Sequence, residues 1–186
     1  MDEHIYPNEE AYAHQLKAAE NRFAPLPLMD ELKLEAKEAG LWNLFVPEEH
    51  AEYCDHGGLS FFDYAPLAEI MGRVIWCPEV FNCNAPDTGN MEVFMNYATE
   101  AQQREWLDPL LAGDIRSSYA MTEPQVASSD ATNVELRIEK AGNEWVLNGH
   151  KWFITNALYE RTKILIVMGK SDPENPSRHL QQSQIL

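Results

Sequence analysis

The hydropathy period of this chain changes once, at Gly113, and that change constrains its fold more than any other feature. Downstream, Val134, Leu136 and Ile138 alternate with Glu135, Arg137 and Glu139, the pattern of a half-buried strand. The stretch AGNE then supplies a turn, WVLNG returns as a second strand, and KWFITN and KILIVMG read as further strands. The polar, proline-bearing SDPENPSR is a loop before the last apolar stretch.

Upstream of Gly113 the signals are helical. Good helix formers run from Asn8 to Phe23 and are interrupted by Pro25 and Pro27. A second helix is expected over Leu28–Ala39, with Leu28, Met29, Leu32, Leu34 and Ala36 among acids and lysines and Gly40 as its stop. LWNLFVPEEH reads as extended, since Pro47 bars a helix through it. Ser60, with Asp63 three residues on, opens a helix whose apolar face is FFDYAPLAEIMG, with Pro66 distorting its first turn. Further helices are expected over Gly89–Ala98 and from the Thr99 cap, with Gln102 at the box position, to Ala112. The expectation is an α+β chain: an N-terminal helical bundle domain over residues 1–115, then an antiparallel β-barrel or sandwich domain over 116–186 that is cut short.

A chain of 186 residues can bury a real core, and five Trp with 45% apolar residues argue for a globular protein. Thirty acidic against fourteen basic residues give a net charge of −16. With no basic stripe, such a surface argues against nucleic acid or anionic membrane as a partner. No apolar run reaches the length of a membrane span. Cys54, Cys77 and Cys83 are too few and too irregular for a disulfide framework, which points to a reducing compartment.

The usual cofactor cradles are missing: there is no G-x-G-x-x-G, no G-x-x-x-x-G-K-[ST], no G-x-S-x-G and no H-E-x-x-H. Two other stretches carry the chemistry. In YAMTEPQVASSDATN (Tyr119–Asn133), Thr122-Glu123-Pro124 can form a tight turn. Its backbone N–H groups, with the hydroxyls of Thr122, Ser128 and Ser129, can satisfy a heteroaromatic edge or a phosphate. In GHKWFITNA (Gly149–Ala157), a strand would put Phe153 and Thr155 on one face and Trp152 and Ile154 on the other. A ring stacked on Phe153 could then accept a hydrogen bond from Thr155. A plain β core with polar loops explains the same composition.

YAMTEP…SSD followed by NGHKWFITNA resembles the paired flavin-binding segments of the acyl-CoA dehydrogenase family, and PEVFNCNAPDTGNMEV resembles its long-chain-type branch. The resemblance runs over essentially the whole chain, as the N-terminal helical domain plus part of the middle β domain. It implies non-covalent FAD and α,β-dehydrogenation of an acyl-CoA thioester, in which a carboxylate removes the α-proton while hydride leaves the β-carbon for the flavin.

By the same resemblance, Tyr119, Ala120, Met121, Thr122, Glu123, Ser128 and Ser129 line the flavin together with Phe153, Ile154 and Thr155. Thr122 bonds the pyrimidine rim, and Ser129 touches the CoA part of the substrate. Phe153 stands where the family more often has Trp, and Thr155 lies near the reactive nitrogen. Where the family commonly reads Gly-Ser-Asp, this chain reads Ser128-Ser129-Asp130 with one residue more in the loop.

The family's catalytic Glu belongs to a C-terminal helical domain absent from these 186 residues, so no catalytic residue is expected here and Glu123 is expected to be structural. The chain alone is then expected to bind FAD weakly and not to turn over. An electron-transferring flavoprotein as acceptor and a dimer or tetramer at full length are also implied. So is a cytoplasmic location in a bacterium, or a mitochondrial or peroxisomal one in a eukaryote. Two other readings stand beside this one: an acyl-CoA oxidase-like enzyme, and a truncated homologue acting only as a helical interaction module.

Three further groups have a chemical and a plain reading. His50, Cys54 and His56 in EEHAEYCDH have metal-ligand types, but no second pair follows, and a polar loop is the reading adopted. Cys83 lacks a nearby His and reads as a small buried residue. Phe81, Met91, Phe94 and Met95 read as core, or as lining of an acyl channel.

Overall fold

The computed structural model describes all of residues 1–186. The chain divides into two compact units: Met1–Arg116 with Leu158–Arg161, and Ser117–Ala157 with Thr162–Leu186.

The first unit is helical. Helix α1 spans Glu9–Ala18, and α2 spans Pro27–Glu38, with Pro27 at its first position, where the missing N–H costs nothing. Leu28, Met29, Leu32 and Ala36 are buried along one stripe of α2, while Leu34 turns outward. The LWNLFVPEEH segment is not a strand. It forms turns, and Glu48–Tyr53 is a 3-10 helix that follows Pro47. Helix α3, Phe61–Met71, begins at the Ser60 cap, whose hydroxyl accepts from the Asp63 N–H at 3.2 Å.

Pro66 lies inside α3 and leaves the Phe62 carbonyl without its helical donor. Phe62 is 89% exposed, so water can supply one. Contrary to the expected apolar face, α3 buries only Met71, and Phe61 is exposed as well.

The short α4, Cys77–Val80, and α5, Asp87–Tyr97, carry much of the core. Met91, Phe94 and Met95 of α5 are buried, as are Cys77 and Val80 of α4. The Thr99 capping box is complete: Thr99 Oγ1 accepts from the Gln102 N–H at 3.3 Å, and Gln102 Oε1 accepts from the Thr99 N–H at 2.9 Å. The helix that follows is continuous but not uniform. It runs as α6 (Glu100–Gln102), a π-helical turn (Gln103–Leu107) and α7 (Asp108–Ala112). The π turn lies just ahead of Pro109, which cannot donate to the Glu105 carbonyl four residues back. The helix ends at Gly113, which is left-handed.

Most of the buried charged groups inside this unit are paired with one another. Arg116, 3% exposed, holds Asp87 through Nε, while its Nη1 lies 2.7 Å from Glu79 Oε1. Lys33 Nζ reaches the same Glu79 oxygen at 2.7 Å. Burial acts to raise the Glu79 carboxyl, but the Arg116 and Lys33 charges outweigh it and hold Glu79 below the ordinary carboxylate value. Arg161 adds a bidentate pair with Asp30 at 2.6 and 2.7 Å.

The second unit is a five-stranded sheet of order β1-β4-β2-β3, with β5 paired to β4. Its strands are β1 (Arg116–Ala120), β2 (Arg137–Ala141), β3 (Glu144–Asn148), β4 (Thr162–Lys170) and β5 (Gln182–Ile185). The β2–β3 hairpin is antiparallel, with Ile138 opposite Leu147, and β4–β5 is antiparallel as well. One parallel join, Arg137 to Lys170, makes the sheet mixed. Ala120, Val134, Leu136, Ile138, Ile164 and Ile166 form its core. No helix of the structure is long and apolar enough to cross a membrane.

Candidate functional site

Both chemistry-bearing motifs lie in the β unit, and they are bonded to each other. The first leaves the end of β1 as extended chain through Met121 and Thr122, then bends at Pro124. The second follows β3 directly. The Trp152 N–H donates to the Thr122 carbonyl at 3.1 Å. Lys151 Nζ donates to the Met121 carbonyl at 2.8 Å and to Glu123 Oε1 at 2.9 Å. Some thirty residues of sequence separation are thereby closed into one surface.

Glu123 is the hinge of this arrangement. Its side chain is 3% exposed. Beyond Lys151, its carboxylate accepts the Glu135 N–H at 2.6 Å and the Leu136 N–H at 2.9 Å. Burial alone would raise the Glu123 carboxyl. The Lys151 ammonium and the two amides outweigh burial and hold it below the ordinary carboxylate value. A carboxylate so committed cannot serve as a general base.

Ser128 is also turned inward. It is buried, and its Oγ accepts from the Glu123 N–H at 2.7 Å. The side chains of Glu123 and Ser128 build the turn, the structural role expected of Glu123 and one not expected of Ser128. The reason is geometric: the TEP bend leaves its own N–H groups inside the unit, where they need partners.

The remaining groups point the other way. Thr122, Ser129, Phe153 and Thr155 are exposed, and the hydroxyls of Thr122, Ser129 and Thr155 have no partner within the protein. Phe153 is 85% exposed, with its ring tilted against Trp152 at a centroid distance of 4.7 Å. Tyr119 is half-buried, and its hydroxyl accepts from Gln184 Nε2 at 3.1 Å. Ala120 is buried, while Met121 and Ile154 are half-buried.

The expected strand over KWFITN is not formed. Phe153 and Asn156 have φ of +49° and +66°, which no strand accommodates. The chain turns here because the Ala157 N–H bonds back to the Ile154 carbonyl at 3.2 Å, and Asn156 Nδ2 donates to the Ser117 carbonyl at 3.2 Å. The face shared by Phe153 and Thr155 therefore owes nothing to β alternation; both are exposed by the turn.

Gly149 sets the approach of the second motif. A Cβ there would lie 2.7 Å from the Leu136 Cα, so only glycine lets this backbone pass the residue whose N–H Glu123 holds. Lys151 is the tie between the two motifs that sequence reasoning missed. A lysine between a His and a Trp reads as solvent-facing, and only its position between two motifs hints at a tie. The metal reading of His50, Cys54 and His56 gains nothing, since no group of His, Cys, Asp and Glu in the structure could hold a metal ion. Cys83 is buried, and burial pushes its thiol up to about 11, so it is inert.

Comparison with known proteins places this geometry. The acyl-CoA dehydrogenase N-terminal domain matches residues 1–114, and the acyl-CoA dehydrogenase middle domain matches residues 118–186. The chain belongs to the acyl-CoA dehydrogenase family.

Relatives in that family include acyl-CoA dehydrogenase family member 10 of Mus musculus, 50% identical over 188 residues, which cover all of this chain and 17% of that protein. Acyl-CoA dehydrogenase family member 11 of Homo sapiens is 46% identical over 190 residues, covering all of this chain and 23% of that protein. A solved Mycobacterium abscessus structure assigned to the acyl-CoA dehydrogenases aligns over 99% of this chain and 46% of its own, with 46% identity and a TM-score of 0.87. An acyl-CoA dehydrogenase from Bacillus anthracis, solved in complex with FAD, aligns over 93% of this chain and 27% of its own, at 26% identity and a TM-score of 0.57. The chain spans less than half the length of each of these relatives.

Proposed function

We propose that the β unit of this acyl-CoA dehydrogenase family chain is one wall of an FAD site, and that the whole protein α,β-dehydrogenates an acyl-CoA thioester. One observation carries the reading: Thr122 and Trp152 are bonded at 3.1 Å, and around that bond three hydroxyls and an aromatic ring are left exposed and uncommitted. The donor set fits a flavin. Thr122 and Thr155 can hydrogen-bond the polar rim of a heteroaromatic ring, and Phe153 can pack on it. Tyr119, Ala120, Met121 and Ile154 support that wall, while Glu123 and Ser128 hold its turn. Ser129, exposed beside the same bend, is the residue assigned to the CoA part of the substrate.

Flavin, when bound, supplies the hydride acceptor for the β-carbon of the substrate. The residues of this chain orient the ring and exclude water from one side of it. Glu123, already held by three donors, does not take the α-proton; in this reading a carboxylate of the family's C-terminal helical domain does. Acyl-CoA is the substrate in this reading, an electron-transferring flavoprotein the acceptor, and the full-length protein a homo-oligomer. It would be cytoplasmic in a bacterium, or mitochondrial or peroxisomal in a eukaryote.

The test is anaerobic addition of a saturated acyl-CoA to the full-length protein reconstituted with FAD. Bleaching of the flavin band near 450 nm is expected, and the 186-residue chain alone should show weak flavin binding and no bleaching. A full-length protein that binds FAD but is never bleached by any acyl-CoA would overturn the dehydrogenase reading. Rapid oxygen consumption on turnover would replace the flavoprotein acceptor with oxygen.

A further inference from the structure

The loop after the 3-10 helix Glu48–Tyr53 builds a second chemical centre, within the helical unit. Cys54 Sγ lies 3.8 Å from His56 Nδ1, while His56 Nε2 lies 3.1 Å from the Asn43 carbonyl. A carbonyl can only accept, so Nε2 carries the proton and Nδ1 presents its lone pair to the sulfur. The Ala51 carbonyl, 3.7 Å from Sγ, is the competing acceptor for the resting thiol. On its other side the sulfur accepts the Gly58 N–H at 3.2 Å.

That donor is aimed by glycine geometry. Gly58 has φ of +78°, and a Cβ there would lie 2.6 Å from the Glu48 Cα. A thiol with a base on one side and an amide donor on the other has the parts that activate a sulfur nucleophile.

The pair also faces usable space. Cys54 and His56 line an open cavity of about 530 Å³ together with Lys37, Trp42, Asn43 and Leu111. Lys37 Nζ sits 4.4 Å over the Trp42 ring and donates to the Ala112 carbonyl at 2.6 Å. The wall is therefore apolar and aromatic at Trp42 and Leu111, and it carries the Lys37 cation beside the acids Glu52, Asp55 and Asp108. The other two cysteines, Cys77 and Cys83, are buried.

We propose that Cys54 and His56 form a nucleophilic pair that captures α,β-unsaturated carbonyl compounds in this cavity. The Sγ–H proton passes to His56 Nδ1 as sulfur bonds to the β-carbon. The π pair moves to the α-carbon, which then takes the proton from His56. Thiol and alkene become a thioether, and no oxidant or reductant is needed. Sulfur oxidation, by contrast, would need an oxidant that nothing in the cavity supplies. The inference does not rest on the flavin reading, since no residue of the flavin wall takes part.

The test uses N-ethylmaleimide on the 186-residue chain, read by intact mass and peptide mapping. One adduct at Cys54 is expected, formed at pH 7 roughly five-fold or more faster than with N-acetylcysteine, and absent in Cys54→Ser. His56→Gln should lower the rate about five-fold at pH 7, and the loss should vanish above roughly pH 10, where a thiol ionises without help. A purely structural role for His56 would not give that pH-dependent convergence. Equal rates for wild type and His56→Gln at pH 7 would overturn the proposal. If His56→Gln does not fold, the comparison with N-acetylcysteine decides by itself: a Cys54 no faster than the free thiol ends the proposal.

Discussion

The two units use buried charge for different ends. In the helical unit, Lys33, Glu79, Arg116 and Asp87 form a closed set whose members satisfy one another and leave nothing over. In the β unit, Glu123 and Lys151 form a latch that also ties down backbone, and the hydroxyls around it are left free. Surface charge divides the same way: the helical unit carries twenty-three acidic against eight basic residues, the β unit seven against six. A phosphate-bearing ligand meets far less repulsion at the nearly neutral unit. Buried ion pairs alone therefore do not mark a site; the mark is a buried pair that leaves polar groups beside it unspent.

The largest effect that can break this contrast is in the helical unit. Arg116→Met removes the cation shared by Glu79 and Asp87, and should cost about 3–5 kcal/mol, because it breaks a buried ion pair to each of them. Urea unfolding followed by far-ultraviolet circular dichroism measures it. A loss under about 1 kcal/mol would mean that this network contributes little to stability. Gly149→Ala comes next, at about 1–3 kcal/mol, because the added methyl meets the Leu136 backbone. Hydrogen exchange should show faster opening of the Leu136 amide while the amides of α2 and α5 stay protected. Thr99→Ala removes one half of the capping box and should cost about 1 kcal/mol, confined to the helix it starts.

Acid sharpens the comparison further. Glu79, Asp30 and Glu123 all have carboxyls held below their ordinary values, Glu79 and Glu123 despite burial, and Asp30 chiefly by its Arg161 hydrogen bond. A depressed carboxyl adds stability that is fully present above its unfolded value and lost as pH falls through the folded one. Stability should therefore be level above about pH 5 and decline below about pH 4. Asp130 is likewise held low by its Thr132 hydrogen bonds, so each unit holds two such groups and the amides of both should lose protection over the same acid range.

Local signals were legible in the sequence and distant ones were not. The Ser60 and Thr99 caps, the Gly113 stop and the β2–β3 hairpin each depend on neighbours within a few residues, and each forms as read. The partners of Arg116 are 29 and 37 residues away, and nothing in a hydropathy period names them. KWFITN misleads because aromatic and β-branched residues suggest a strand, whereas Asn156 takes a left-handed turn bonded to Ser117. The exposed α3 face, with Phe61 and Phe62, shows the limit of pattern reading: an apolar stripe states a preference for burial, not what buries it. At the candidate site, family resemblance singled out Thr122, Ser129, Phe153 and Thr155, and the structure leaves all four exposed. The structural role of Glu123 was read from the sequence, but its partners and the inward roles of Ser128 and Lys151 needed the fold.

The central claim is that the two bonded motifs form one flavin wall, and a flavin titration tests it most directly. The dissociation constant of FAD would be measured for the full-length protein, the Thr122→Val and Thr155→Val variants, and Thr99→Ala as a control in the helical unit. Each wall variant should weaken FAD about tenfold, the worth of one hydrogen bond to a buried ring edge, while Thr99→Ala leaves it unchanged. Unchanged FAD affinity in both wall variants, with their folds intact, would contradict the account.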